Sequence, residues 1–142
     1  MSGRWLLDTC VLSEYARANP NAHVMSWLAT ADEAALALSV LTIAELRRGA
    51  LALPPSRRRS ALESWIDEAL PARFLNRVFP VDKAVADVWA ERQARLDRQG
   101  RPLPVIDGLI AATAVVHGYG VATRNERDFT TFGVLIVNPW RP

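Results

Sequence analysis

Four short apolar stretches of this chain each end on a carboxylate or place one beside them. They are Leu6-Leu7-Asp8-Thr9, Thr42-Ile43-Ala44-Glu45-Leu46, Val105-Ile106-Asp107-Gly108 and Thr123-Arg124-Asn125-Glu126-Arg127-Asp128-Phe129. An unpaired buried charge is costly, so an acid next to a buried segment needs a partner. Four such acids in one small chain point to a shared partner. The natural shared partner for converging carboxylates is a hard divalent cation. The fold must therefore bring the ends of several separate segments to one place.

The apolar pattern supplies a way to do so. Short apolar runs at residues 4–8, 35–40, 77–81, 120–123 and 134–137 read as strands. Helical stretches read at 11–17, 22–30, 42–53, 56–70, 82–99 and 107–117. Pro54-Pro55 stops the third helix, Gly100 ends the amphipathic fifth, and Gly118 and Gly120 end the last. Strands alternating with helices predict an α/β fold with a short central parallel sheet flanked by helices on both faces. Right-handed crossovers place the C-terminal ends of all strands on one edge, where ligands of such sheets bind. With 142 residues, the chain reads as a single domain over 1–142.

Composition excludes several alternatives. The apolar runs are broken well short of the about 20 residues that span a membrane. The first, carrying Arg4 and Asp8, is too short and acidic for a signal peptide. A cytoplasmic location is expected. Cys10 is the sole cysteine and the histidines are His23 and His117, so a Cys/His zinc site is excluded. Lys83 is the sole lysine; the other basic residues are arginines, whose planar fork suits phosphate or carboxylate. Arg57-Arg58-Arg59 reads as a solvated helix face, whereas Arg47 and Arg48, close to Glu45, are placed to meet phosphate. Trp27, Trp65 and Trp89 sit in helical apolar patterns as core or interface, and both histidines read as structural.

Each acid also has a bland explanation. Asp8 and Asp107 are positioned to cap the helices that follow them. Glu45 stands one turn from Arg48, and Asp128 lies among Arg124 and Arg127. Function is favoured by the joint pattern, because independent caps and surface pairs need not all fall beside short buried strands.

These segments resemble a known family. Leu6-Leu7-Asp8-Thr9-Cys10-Val11-Leu12-Ser13-Glu14 resembles the opening motif of PIN-domain ribonucleases, above all the VapC and FitB type of toxin. Ser39-Val40-Leu41-Thr42-Ile43-Ala44-Glu45-Leu46 resembles their second motif, whose glutamate is an active-site acid. Pro104-Val105-Ile106-Asp107-Gly108-Leu109-Ile110-Ala111-Ala112-Thr113-Ala114 resembles the third, and the Thr123–Phe129 segment the fourth, with Asn125 and Asp128 at functional positions. The likeness runs from about Leu6 to Pro139. Cys10 departs from it: that position is commonly asparagine, and losing the amide is expected to loosen the first loop.

The resemblance implies a PIN-like fold and a metal-dependent endoribonuclease, the toxin of a toxin–antitoxin pair. It also implies a small homodimer, an RNA substrate and a cognate antitoxin that lays a helix on the apolar helices between residues 42 and 70. Phosphodiester hydrolysis needs an activated water and a way to absorb charge, which Mg²⁺ or Mn²⁺ supplies. Asp8 and Asp107 are the expected direct metal ligands. Glu45 and Asp128 are expected to orient metal-bound water or complete a second site, with Thr9, Ser39, Thr123 and Asn125 as hydrogen-bonding supports. The competing readings are a non-catalytic binding module on the same fold and a Mg²⁺-binding signalling domain. The latter normally needs a lysine after a late strand, and Lys83 stands at a helix start instead. A phosphatase with an aspartyl nucleophile would have aspartate where Cys10 stands, and no Gly-x-Gly-x-x-Gly follows a strand.

Overall fold

The computed structural model of the chain describes residues 3–142. Its five strands are β1 (Trp5–Leu7), β2 (Leu36–Ser39), β3 (Val78–Phe79), β4 (Gly120–Ala122) and β5 (Ile136–Val137). All neighbours pair in parallel, in the order β3-β2-β1-β4-β5. The chain builds outward from β1 to β2 and β3, then returns to β1's other side for β4 and β5. The strand order therefore reverses between β1 and β4, the crevice where ligands of open parallel sheets sit.

Successive strand residues point to opposite faces. Leu6, Ala37 and Val121 share one face and pack with Ile110, Ala111, Phe129 and Phe132. Leu7, Leu36, Leu38 and Ala122 share the other and pack with Val11, Leu12, Val24, Leu70 and Phe74. Burial on both faces explains why the strands read as continuous apolar runs rather than alternating ones. The fold matches the sequence reading, with helices covering both faces. Leu6 is fully buried. Leu6→Ala is expected to cost about 2–5 kcal/mol through the cavity left in the central strand, measured by urea denaturation. A cost near zero would mean that β1 is not the core strand.

The helices are α1 (Thr9–Leu12), α2 (Ala22–Thr30), α3 (Val40–Leu51), α4 (Arg57–Ser64), α5 (Leu70–Arg73), α6 (Lys83–Arg98), α7 (Val105–His117) and α8 (Glu126–Phe132). Helix α8 has no counterpart in the sequence reading, and three others differ from it in instructive ways. The first becomes a 3₁₀ turn at Ser13–Ala16. The expected 56–70 helix widens to a π turn at Trp65–Ala69 and then runs on to Arg73. The cause is Pro71, which lacks an N–H and whose ring clashes with the carbonyl four residues back. The third is α7, which starts at Val105 behind Pro104, two residues before the expected Asp107. Gly118 ends it at φ +73°, a conformation that favours glycine.

Gly108 sets how closely α7 approaches α6. A Cβ there would come within 2.9 Å of the Trp89 indole nitrogen. The bare backbone lets Trp89 pack against the first turn of α7, the turn that carries Asp107.

Candidate active site

Asp8 directly follows β1 and is buried. Its backbone N–H extends the ladder to the Ala122 carbonyl at 3.0 Å. Its Oδ1 accepts the Thr9 N–H at 2.9 Å, and Oδ2 accepts the Thr123 hydroxyl at 2.8 Å. Asp8 is thus a helix cap, as the bland reading held, and is also pinned to β4 across the switch point. The Thr123 oxygen in turn accepts the Asn125 N–H at 2.9 Å. Asn125 caps α8, and its amide donates to Asp128 Oδ2 at 3.0 Å. One chain of hydrogen bonds therefore runs from Asp8 through Thr123 and Asn125 to Asp128.

Glu45 reaches the same edge from α3. Ser39, fully buried at the end of β2, starts that helix by accepting the Leu41 N–H at 3.0 Å. Its hydroxyl is used on this cap, so it positions the helix rather than touching an acid. One turn on, Glu45 Oε1 accepts the Thr9 hydroxyl at 2.5 Å. Asp107 projects from the first turn of α7 without capping it. The cap explanation fails for this residue.

Asp107 feels the charges of the other three acids. Burial, then the charges of Asp8, Glu45 and Asp128, push the Asp107 carboxyl up to about 6. Burial also raises the Asp8 carboxyl, against the hydrogen bonds from Thr123, Thr9 and Cys10. None of the four enters an ion pair among the described residues. The expected alternatives of Glu45 with Arg48, and Asp128 with Arg124 or Arg127, do not form there.

The donor set is oxygen throughout, its negative charge is uncompensated, and two members are half-buried or deeper. That is the chemistry a hard cation requires. No group of three or more His, Cys, Asp or Glu side chains among the described residues is arranged to grip an ion directly. Mg²⁺ suits such a site, because it retains several waters and needs one or two carboxylates.

Residues 5–134 match the sequence model of the PIN domain. The chain belongs to the PIN-domain family. It is 40% identical over 138 residues to a VapC ribonuclease of Sinorhizobium fredii, a match covering 96% of this chain and 98% of that protein. It is 36% identical over 135 residues to toxin FitB of Neisseria gonorrhoeae, covering 95% and 97%. The FitAcB crystal structure from Neisseria gonorrhoeae superposes with a TM-score of 0.91 at 35% identity, covering 96% of this chain and 99% of that one. DNA-bound VapBC from Salmonella typhimurium gives a TM-score of 0.78 at 25% identity, covering 98% and 99%.

Cys10 behaves differently in this PIN domain from the sequence expectation of a looser loop. Its thiol donates to Asp8 Oδ2 at 3.6 Å and lies 4.0 Å from the Thr123 hydroxyl. Burial, then Asp8, pushes the thiol up to about 11, so it stays protonated and helps hold the loop. Arg47 is also reassigned, because it pairs with Asp67. His117 stacks on Phe79 at 3.8 Å, in keeping with a structural role.

Glu14 was given no role of its own in the sequence reading. It is 3% exposed and accepts the Asn21 N–H at 2.7 Å and Arg17 at 3.3 Å. It ties the loop after the first helix to α2, and no local pattern signals that bond.

Thr123 joins two arms of the site. Thr123→Val removes the donor to Asp8 and the acceptor for Asn125 while keeping the shape. It is expected to cost about 1–3 kcal/mol of stability and to weaken cation binding about 10–100-fold. Thermal melts with a Mn²⁺ titration would measure both, and an unchanged affinity would remove Thr123 from the site.

Proposed function

We infer that this protein is the ribonuclease toxin of a toxin–antitoxin pair, an endoribonuclease that hydrolyses RNA phosphodiester bonds with Mg²⁺ or Mn²⁺. The observation that carries this reading is that Asp8, Glu45 and Asp128 are tied to one sheet edge by Thr9, Thr123 and Asn125, with Asp107 near enough to feel their charges and no cationic side chain paired to any of the four among the described residues. The ribonuclease and toxin relatives that align along nearly the whole chain support it. The same extent of match and the single sheet support one PIN domain spanning the chain.

Asp8 and Asp107 would hold the cation, which supplies an acidified water and neutralises charge developing at the phosphate. The chain's own groups hold three of the four acids in place. Thr123 and the Thr9 N–H fix the two oxygens of Asp8. The Thr9 hydroxyl fixes Glu45, and Asn125 fixes Asp128. Glu45 and Asp128 are then the carboxylates available to orient water and accept its proton. Held geometry of this kind avoids reorganisation during the reaction.

The antitoxin contact follows from a second surface. Ala16, Leu46, Leu62, Trp65 and Ile66 line an apolar cleft of about 140 Å³ that opens beside Thr9 and Glu45. An amphipathic antitoxin helix laid there would cover both the cleft and the acids. On this reading the contact falls largely on the 42–70 segment. By likeness to its toxin relatives, the protein is read as a homodimer acting in the cytoplasm. No described helix is long and apolar enough to cross a membrane. Light scattering of the purified protein checks the dimer.

The test of the function is expression of the chain with and without the product of its neighbouring reading frame, followed by sequencing of cellular RNA 5′ ends. Discrete new ends on expression alone, suppressed by the neighbour, are expected. An unchanged RNA end profile with stably produced chain would reject the reading.

A further inference from the structure

Arginines that the acidic site does not use gather on one side of it. Two adjoining grooves, of about 670 and 260 Å³, share Arg101, Arg127 and Thr131 as lining residues. The larger is also lined by Arg124, Arg141 and Asn125, and the smaller reaches Asp128. Asn125 and Asp128 are the end of the hydrogen-bonded chain that begins at Asp8. The basic surface is therefore continuous with the acids.

Its cations differ in what already holds them. Arg141 pairs with Glu126 at 2.7 Å, and the Arg124 guanidinium lies 5.2 Å from the centre of the Trp140 ring. Arg101 and Arg127 are exposed and enter no ion pair among the described residues. Arg101 follows α6 and Arg127 sits in the first turn of α8, so two separate elements present unneutralised guanidinium groups to one groove. Planar forks of this kind match phosphate oxygens. The cleft beside Thr9 and Glu45, by contrast, is lined mainly by apolar side chains and by no arginine.

We propose that this groove holds the RNA strand flanking the scissile phosphate, with Arg101 and Arg127 contacting backbone phosphates irrespective of base. The proposal rests on the ribonuclease reading for its substrate class. Arg101 and Arg127 are positioning residues: they set where the strand lies and take no part in the bond exchange.

The experiment is fluorescence anisotropy of short single-stranded RNAs, one purine-rich and one pyrimidine-rich, with antitoxin-free protein in chelator at several salt concentrations. Wild type is compared with the Arg101→Gln, Arg127→Gln double variant. Loss of two phosphate contacts should lower the slope of log affinity against log salt by about 1.4 and weaken binding roughly tenfold for both RNAs. With Mg²⁺ restored, KM for RNA should rise with little change in kcat. Unchanged affinity and slope, with wild type still cleaving, overturns the groove and leaves the nuclease standing. No binding of either RNA by the wild type also overturns it. Loss of the co-expressed antitoxin with RNA binding intact overturns it in favour of a protein contact. RNA binding through these arginines without metal-dependent cleavage supports the groove and counts against the nuclease reading.

Discussion

Asp8→Asn is expected to lower metal-dependent RNA cleavage on the order of 1000-fold while leaving the fold in place. The substitution nearly preserves shape and removes one negative charge from the proposed cation ligands. A cation's stabilisation of developing charge amounts to several kcal/mol, and each 1.4 kcal/mol is about tenfold in rate. Stability should survive for two reasons. Asparagine caps a helix about as well as aspartate. Burial also raises the Asp8 carboxyl, so the folded state already disfavours its charge. If Asp8 were only the cap of α1, neither melting temperature nor activity would change. Cleavage assays and thermal melts of one preparation separate the two, and wild-type activity in the variant would remove Asp8 from the site.

Asp107→Asn is expected to stabilise the metal-free protein at pH 8 and to lose that advantage in acid. The carboxyl rises from 3.8 to about 6 on folding, so the folded state binds the proton more tightly than the unfolded chain. At pH 8 the group is charged in both states, and only the folded state bears its burial and the three neighbouring acids. Removing the charge should yield on the order of 1 kcal/mol, reduced by solvent screening because the group is only half-buried. As pH falls through about 6, the folded wild type takes up its proton. The difference between the proteins should shrink and vanish below pH 3.8, the ordinary carboxyl value. With Mg²⁺ or Mn²⁺ added at pH 8 the order should reverse, because a cation that binds the folded state stabilises wild type. Cleavage should fall as far as in Asp8→Asn. Melts in chelator across that pH range check the sign; a variant less stable than wild type at pH 8, or a constant difference, would refute the coupling of the acids.

The strands were legible because burial on both faces leaves uninterrupted apolar runs, and each acid was legible because it breaks such a run. Thr9, Thr123 and Asn125 were legible as supports, but not which acid each one holds. Thr123 lies 115 residues from Asp8 and Thr9 lies 36 from Glu45. No local pattern encodes such separations; only the parallel order of β1, β2 and β4 brings them together. Ser39 shows the converse. A small hydroxyl beside an acid motif read as a support for the acids, and its bond goes to the backbone of the helix it starts. Arg47 was misjudged for a similar reason, since its partner Asp67 comes from the π turn imposed by Pro71. The start of α7 was missed because Asp107 looked like a cap, while Pro104 already ends the preceding loop.

The central claim is that the four acids form one cation site on which RNA cleavage depends. Its most direct measurement is Mn²⁺ binding, followed by electron paramagnetic resonance, with RNA cleavage assayed in the same antitoxin-free samples. The expected result is that cleavage tracks cation occupancy, stops in chelator, and is lost with binding in both Asp8→Asn and Asp107→Asn. Cleavage that persists in chelator, or undiminished Mn²⁺ binding in both variants, would contradict it.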